Sequence, residues 1–370
     1  MSTPIRFIII LVVFEILLTF VHLAVYATLA AAFGINSLFL EILFVVLALT
    51  FVSATVLSRF YNNIFVEWYY VFATYWLGLI HFLFLGGFTF FFVTAVSYCF
   101  SIYPSPPLLG ALCFGAAFLI HLYGTWNSGR AEITAIKVAL PNLPGSWKGR
   151  SVVFISDVHL GNVHGARFSA KIVKKIAALS PWALFIGGDL YDGTLCDEKK
   201  LIAPLGSLHL PGGSYFVSGN HEYYSADSAG FRFMEAIKET GIRILHNEKI
   251  DLDGIQLVGI DDKSASGKGS LQKIFDGMTI ERSKPSIFLR HIPFDLDMTA
   301  EKGFSLALFG HTHRGQVFPI GLFTKKIYKG YDYGLKKRGS MQVYTSSGVG
   351  TWGPPLRLGT KSEIVLIEFS

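Results

Sequence analysis

In the second half of the chain, eight polar side chains each stand just beyond a short apolar run: Asp157, His159, Asp189, Asn220, His221, His291, His311 and His313. Four of the His, both Asp and the Asn form a mixed nitrogen and oxygen donor set. Such a set suits Mn2+, Fe or Zn2+, whereas an all-oxygen shell suits Mg2+ or Ca2+. Seven ligands exceed the needs of one tetrahedral ion and fit two ions that share a carboxylate. Two metals about 3.5–4 Å apart can clamp the attacking and leaving oxygens of an in-line phosphoryl displacement and generate hydroxide near neutral pH. The chemistry implied is phosphoester hydrolysis.

The elements that must position these groups can be read around them. Runs rich in β-branched and aromatic residues at 151–156, 183–187, 214–218, 255–260, 286–290, 305–309, 341–345 and 363–369 are predicted strands. Segments 166–180, 230–241 and 270–277 have helical spacing. Strands alternating with helices predict a layered α/β domain whose sheet is buried on both faces. In open α/β sheets, ligands gather beyond the carboxyl ends of strands. The polar residues recur at those ends.

The runs Asp157-Val158-His159, Gly188-Asp189, Gly219-Asn220-His221-Glu222, His291 and Gly310-His311-Thr312-His313 resemble the ordered signature of the calcineurin-like metallophosphoesterases. The resemblance covers about 150–370 and implies a β-sandwich flanked by helices. It also implies that Asp157, His159 and His313 bind one divalent ion, that Asn220, His291 and His311 bind the other, and that Asp189 bridges them. Mn2+ is the expected metal, with Fe or Zn2+ as alternatives. His221 would be the general acid. The wider context, including Gly161 and the segment Ser347–Arg357, resembles a membrane-anchored bacterial branch that includes phosphodiesterases and UDP-2,3-diacylglucosamine pyrophosphatase. Arg314 stands where that family often has Gly, and a guanidinium there suits substrate phosphate. Arg314 and Arg357 are the expected substrate-binding residues. Asp192 is a candidate for orienting a ligand.

Composition divides the chain. Of 370 residues 51% are hydrophobic and only 16% charged, against about 25% charge in an ordinary soluble globule. Residues 1–128 hold only Arg6, Arg59, Glu15, Glu41 and Glu67, which leaves 30 basic and 23 acidic residues for the rest. Four apolar runs, near 5–33, 37–58, 68–98 and 107–126, reach the roughly 20 residues a spanning helix needs. The expected organisation is therefore a four-helix transmembrane region at 1–128, a linker at 129–149 and the phosphoesterase domain at 150–370. Arg6, Arg59, Arg130 and Lys137 flank alternate ends of the spans, which places the polar half in the cytoplasm by the positive-inside rule. This reading makes the chain a multi-pass inner (cytoplasmic) membrane protein. Glu15, His22, Glu41 and His81 lie inside the spans and read as packing or interface residues, since no internal repeat suggests a transport path. Cys99, Cys113 and Cys196 form no disulfide framework.

Lys325, Lys326, Lys329, Lys336, Lys337 and Arg338 surround Tyr328, Tyr331 and Tyr333, with Phe318, Leu322 and Phe323 just before. A basic, aromatic segment in a membrane-anchored chain can hold anionic headgroups, or be a solvated loop. No nucleic-acid partner is expected. The leading expectation is a membrane-bound dinuclear-metal phosphohydrolase acting on a phosphodiester or pyrophosphate, in a lipid or lipid-linked nucleotide. The alternatives are a tethered nucleotide or protein phosphatase, and an inert receptor or scaffold.

Overall fold

A computed structural model describes residues 3–223 and 229–370. The chain divides into two compact units. The first runs to Trp126 and includes Gly353–Leu356; the second comprises Asn127–Trp352 and Arg357–Ser370. The first contains α1 (Thr3–Phe33), α2 (Leu38–Ala48), α3 (Thr50–Phe60), α4 (Ile64–Cys99) and the bulk of α5 (Pro106–Ser128). With α2 and α3 counted as one run broken at Leu49, four helices among the described residues are long and apolar enough to cross a membrane. Their ends follow local chemistry. Gly34 takes a positive φ after α1. The Ser37 hydroxyl accepts from Leu40 N, and the Asn63 side chain accepts from Phe65 N and Val66 N, meeting amides that a helix start leaves unpaired.

Small residues let these helices approach. A Cβ on Gly87 of α4 would lie 2.9 Å from Thr28 Oγ1 of α1, and one on Gly110 of α5 would lie 2.6 Å from Ala32 Cβ of α1. His22 is buried between α1 and α4, where its Nε2 accepts from Trp76 Nε1 at 2.8 Å. That bond gives His22 a packing role. The described part of the segment bearing Arg6 is helical backbone; the Arg6 side chain lies outside the described residues.

The second unit starts with β1 (Glu132–Val138) and continues through β2 (Ser151–Ile155), α6 (Ala166–Ala178), β3 (Ala183–Gly187), α7 (Glu198–Gly206), β4 (Ser214–Val217), α8 (Ala229–Glu239) and β5 (Arg243–Ile244). There follow β6 (Glu248–Leu252), β7 (Ile255–Gly259), α9 (Asp262–Ala265), α10 (Ser270–Asp276), β8 (Ser286–Leu289), α11 (Leu296–Lys302) and β9 (Leu306–Phe309). It ends with α12 (Ile320–Ile327), β10 (Gly334–Arg338), β11 (Met341–Thr345) and β12 (Glu363–Phe369). One sheet has the order β1-β12-β2-β3-β4-β5 and the other β10-β11-β9-β8-β7-β6.

Alternation along the strands builds the layers. Val152 and Phe154 of β2 join Leu257, Ile287 and Leu308 in a core between the sheets. Val153 and Ile155 turn the other way, onto Ile172 and Ile176 of α6 and Phe233 of α8. Phe288 and Phe309 cover the outer face of the second sheet against Leu271 and Phe275 of α10. The result is the expected sandwich flanked by helices.

One expected boundary needs correction. Residues 132–138, read as linker, form β1, which pairs in parallel with β12 from Glu132↔Glu363 to Val138↔Phe369. Its alternation is masked in sequence because the outward face carries apolar Ile133 and Ala135 beside charged Lys137, so it lacks the apolar density of a central strand. β5, β6 and β10 were likewise too short or too polar to stand out. Gly87→Leu should overpack the α1/α4 crossing by about 1–3 kcal/mol, lowering the melting temperature of detergent-solubilised full-length protein; an unchanged melting temperature would contradict that close approach.

Candidate metal centre

The ends of β2, β3, β4, β8 and β9 deliver the candidate ligands. Asp157 and His159 follow β2, Asp189 follows β3, Asn220 and His221 follow β4, His291 follows β8, and His311 and His313 follow β9. Asp157, His159, Asp189, His311 and His313 all have positive φ, between 47° and 70°. Side-chain-bearing residues rarely adopt that region, and where they do so at a functional site the surrounding structure must hold them. Each left-handed residue turns the chain sharply within the segment that follows its strand.

Donor atoms of Asp157, His159 and His313 lie within 4.8 Å of one another, as do those of Asp189, His291 and His311. A third set, His159, Asp189 and His221, overlaps both. His159 Nε2 is 3.1 Å from His313 Nε2, and His311 Nδ1 is 3.2 Å from His291 Nε2. Asp189 Oδ2 approaches His291 Nε2 at 2.9 Å, while its Oδ1 accepts from His221 N at 2.9 Å. Six of the residues expected as ligands thus lie together in these clusters. Asn220 stands one residue before His221, and its carbonyl accepts from Tyr223 N at 3.2 Å.

Glycine makes the approach possible. A Cβ on Gly219 would fall 2.2 Å from Asp189 Oδ1, and one on Gly310 would fall 2.5 Å from Asp157 Oδ2. His291 Nδ1 donates to Gly187 O at 2.8 Å, which leaves Nε2 facing the cluster as a ligand nitrogen must. Asp192 Oδ1 is 3.3 Å from His159 Nδ1 and 3.7 Å from His221 Nδ1, so one carboxyl serves two rings.

Electrostatics favour cations here. Asp157, Asp189 and Glu222 are buried together, with the largely covered Asp192 side chain beside them. Burial pushes Asp192 up to about 7 and, with the neighbouring Asp189 charge, Glu222 up to about 7. Burial opposes charge on His291, but the Asp189 and Asp157 carboxylates override it and raise the imidazole to about 10. Burial and the adjacent His291 lower His311 to about 3. Clustered carboxyls and inward-facing imidazole nitrogens fit divalent metals of the Mn2+, Fe or Zn2+ type.

Two expected substrate residues part company. Arg357 is fully buried; its Nη2 donates to Ser347 O, Gly348 O and Gly350 O at 2.7, 3.2 and 2.6 Å, and its Nη1 to Lys361 O at 3.2 Å. The expectation that it binds substrate is therefore corrected: its planar fork of donors braces the loop beside Asp157 and His313. Arg314 is exposed, with its guanidinium 4.3 Å over the Tyr333 ring. It lines a cavity of about 300 Å3 together with Lys325 and Lys336. On the His311 side, Tyr328 has its ring 6.2 Å away and stacks on Phe294 at the wall of a groove of about 840 Å3.

Glu222 was present in the motif but its work was not read from it. Its carboxylate accepts from Gly219 N, Tyr191 N and Asp189 N at 2.7, 3.0 and 3.1 Å, tying the loops after β3 and β4 together. The readable signal was a Glu directly after a candidate catalytic His.

Residues 150–315 match the family model described as calcineurin-like phosphoesterase. An uncharacterized metallophosphoesterase of Campylobacter jejuni is 34% identical over 64% of this chain and 63% of its own length. A zebrafish protein named as a transmembrane protein with metallophosphoesterase domain is 32% identical over 67% of this chain and 60% of its own length. An uncharacterized metallophosphoesterase of Aquifex aeolicus is 30% identical, and there the match covers 68% of this chain and 96% of that protein. The fold is that of a metallophosphoesterase. With this similarity, the chain belongs to the calcineurin-like metallophosphoesterase family. The matched region spans a little under two thirds of the length of the first two relatives.

Glu222→Ala should strand three buried amides, at about 1–3 kcal/mol each, and weaken metal binding about 10–100-fold by loosening the ligand loops. Denaturant unfolding and metal titration of purified full-length protein read these two effects; wild-type values in both would remove Glu222 from the support of the site.

Proposed function

We propose that the protein is a membrane-bound phosphohydrolase with a dinuclear metal centre, cleaving a phosphodiester or pyrophosphate bond in a lipid or lipid-linked nucleotide. The observation that carries this reading is the pair of three-donor clusters, at Asp157/His159/His313 and Asp189/His291/His311, with His221 and Asp192 beside them. Asn220 would complete the second cluster and Asp189 would bridge both. Two bound divalent ions supply Lewis-acid stabilisation of phosphoryl oxygens and lower the pKa of water.

The chain's own residues do the rest. His221 Nδ1 donates to Asp192 O at 3.2 Å, so Nε2 has a proton to give when the ring is the imidazolium, the form that burial opposes and the Asp189 and Asp192 carboxylates favour. As a water oxygen bonds to phosphorus and the bond from phosphorus to the leaving oxygen breaks, Nε2 gives its proton to that oxygen, the general-acid role. Asp192 positions the ring. Arg314, exposed and fixed over Tyr333, can meet charge on the substrate. The groove beside His311 has room for a leaving group larger than a phosphate. The Lys and Arg distribution supports a cytoplasmic catalytic domain, and the four apolar helices support access to lipid substrates.

His221→Ala should lower turnover by about 10²–10⁴-fold and leave metal content intact by elemental analysis, whereas Asp189→Ala should lose metal. Metal loss in His221→Ala would refute the general-acid role. Hydrolysis of UDP-2,3-diacylglucosamine by full-length protein with Mn2+ should exceed that of a short chromogenic phosphodiester. Cleavage of the chromogenic diester alone would overturn the lipid substrate while keeping the hydrolase.

A further inference from the structure

Between the turn bearing His313 and strand β10, the chain forms α12, a helix with no buried residue. Phe318, Ile320, Leu322, Phe323 and Ile327 are 46–64% exposed. Ile320, Phe323 and Ile327, spaced three and four apart, share one side of the helix. Lys325, Lys326 and Lys329 occupy the remaining circumference and the helix end, and Lys336 and Lys337 follow on β10. Large apolar side chains gathered on a surface mark a contact. An apolar stripe bordered by lysines is the composition of a helix that lies in a membrane interface, with the lysine stems reaching along apolar surface to place their charges among headgroups.

The helix is also tied to the metal centre. Gly315, two residues beyond His313, has φ +77° and is so close to the start of α12 that a Cβ there would fall 2.3 Å from Gly321 N. At the other end, Tyr328 directly follows α12 and has its ring 6.2 Å from that of His311. Both histidines of the turn are therefore backed by the same short helix.

We infer that α12 docks into the interface of an anionic bilayer, which makes it a second membrane attachment, placed at the mouth of the metal centre. Charge complementarity and the chain's four membrane-crossing helices favour lipid as the occupant over a second protein copy. Neither observation depends on what the centre hydrolyses.

The test places the photo-crosslinker p-benzoylphenylalanine at Phe323 in the full-length protein, reconstituted in vesicles of phosphatidylcholine with phosphatidylglycerol. Lys249 is the control position, exposed on β6 at the far edge of the sheet that begins with β10. Lipid adducts should form severalfold more at 323 than at 249. They should fall about fivefold for each lysine removed in Lys325→Gln and Lys326→Gln, the equivalent of about 1 kcal/mol per charge. Equal yields at 323 and 249, crosslinks chiefly between two copies of the chain, or a yield unchanged in pure phosphatidylcholine would each overturn the inference. Because the readout is a covalent lipid adduct, it stands or falls apart from any result on hydrolysis.

Discussion

Like groups must be held against like groups at the centre of this domain. His159 and His313 face each other nitrogen to nitrogen at 3.1 Å, His291 and His311 at 3.2 Å, and several carboxyls are buried among them. Burial strips away the water that would otherwise screen such a gathering. Two parallel strand sets resist this tendency to spread, because β2-β3-β4 and β7-β8-β9 end in rigid hydrogen-bonded edges. Five candidate ligands in left-handed backbone add a local cost of about 1 kcal/mol or more each. The hydrophobic layers above and below the sheets are what make that conformation tolerable.

Around this centre two buried charged side chains work through backbone. Glu222 holds three amides, and Arg357 holds the carbonyls of 347, 348 and 350. Glu363, at the start of β12, accepts from Ser346 Oγ, Ser347 N and the Tyr344 and Tyr333 hydroxyls. The loop gripped by Arg357 and Glu363 carries Gly348, where a Cβ would fall 2.7 Å from Asp157 Cβ. A ligand at the end of β2 is thus shaped by residues two hundred positions later.

That distance explains what could be read in the sequence. Strand-end residues such as Asp189 and His291 were legible because the apolar run and the polar residue are adjacent, and adjacency survives in one dimension. The central strands were legible because each is apolar on both faces. Arg357 was misread because its spacing from the His motifs says nothing about burial; only folding shows its donors turned inward to carbonyls. β1 was missed because the strand it pairs with is β12, which a local reading of 129–149 does not contain. Helix α12 falls between: its composition was visible, but its connection to the His313 turn depends on the close approach of Gly315 and Gly321.

The placing of β12 between β1 and β2 also sets an order of events in time. A ribosome delivers β1 and β2 early, yet they cannot become neighbours, because the strand that separates them is synthesised more than two hundred residues later. The apolar helices leave the ribosome before any of the sandwich can close. During that interval β1 and the near edge of β2 present unpaired backbone, the kind of edge that invites wrong pairing. The apolar helices therefore emerge before the sandwich, and the sheet that contains β1 and β2 is complete only once residues 363–369 have arrived between them.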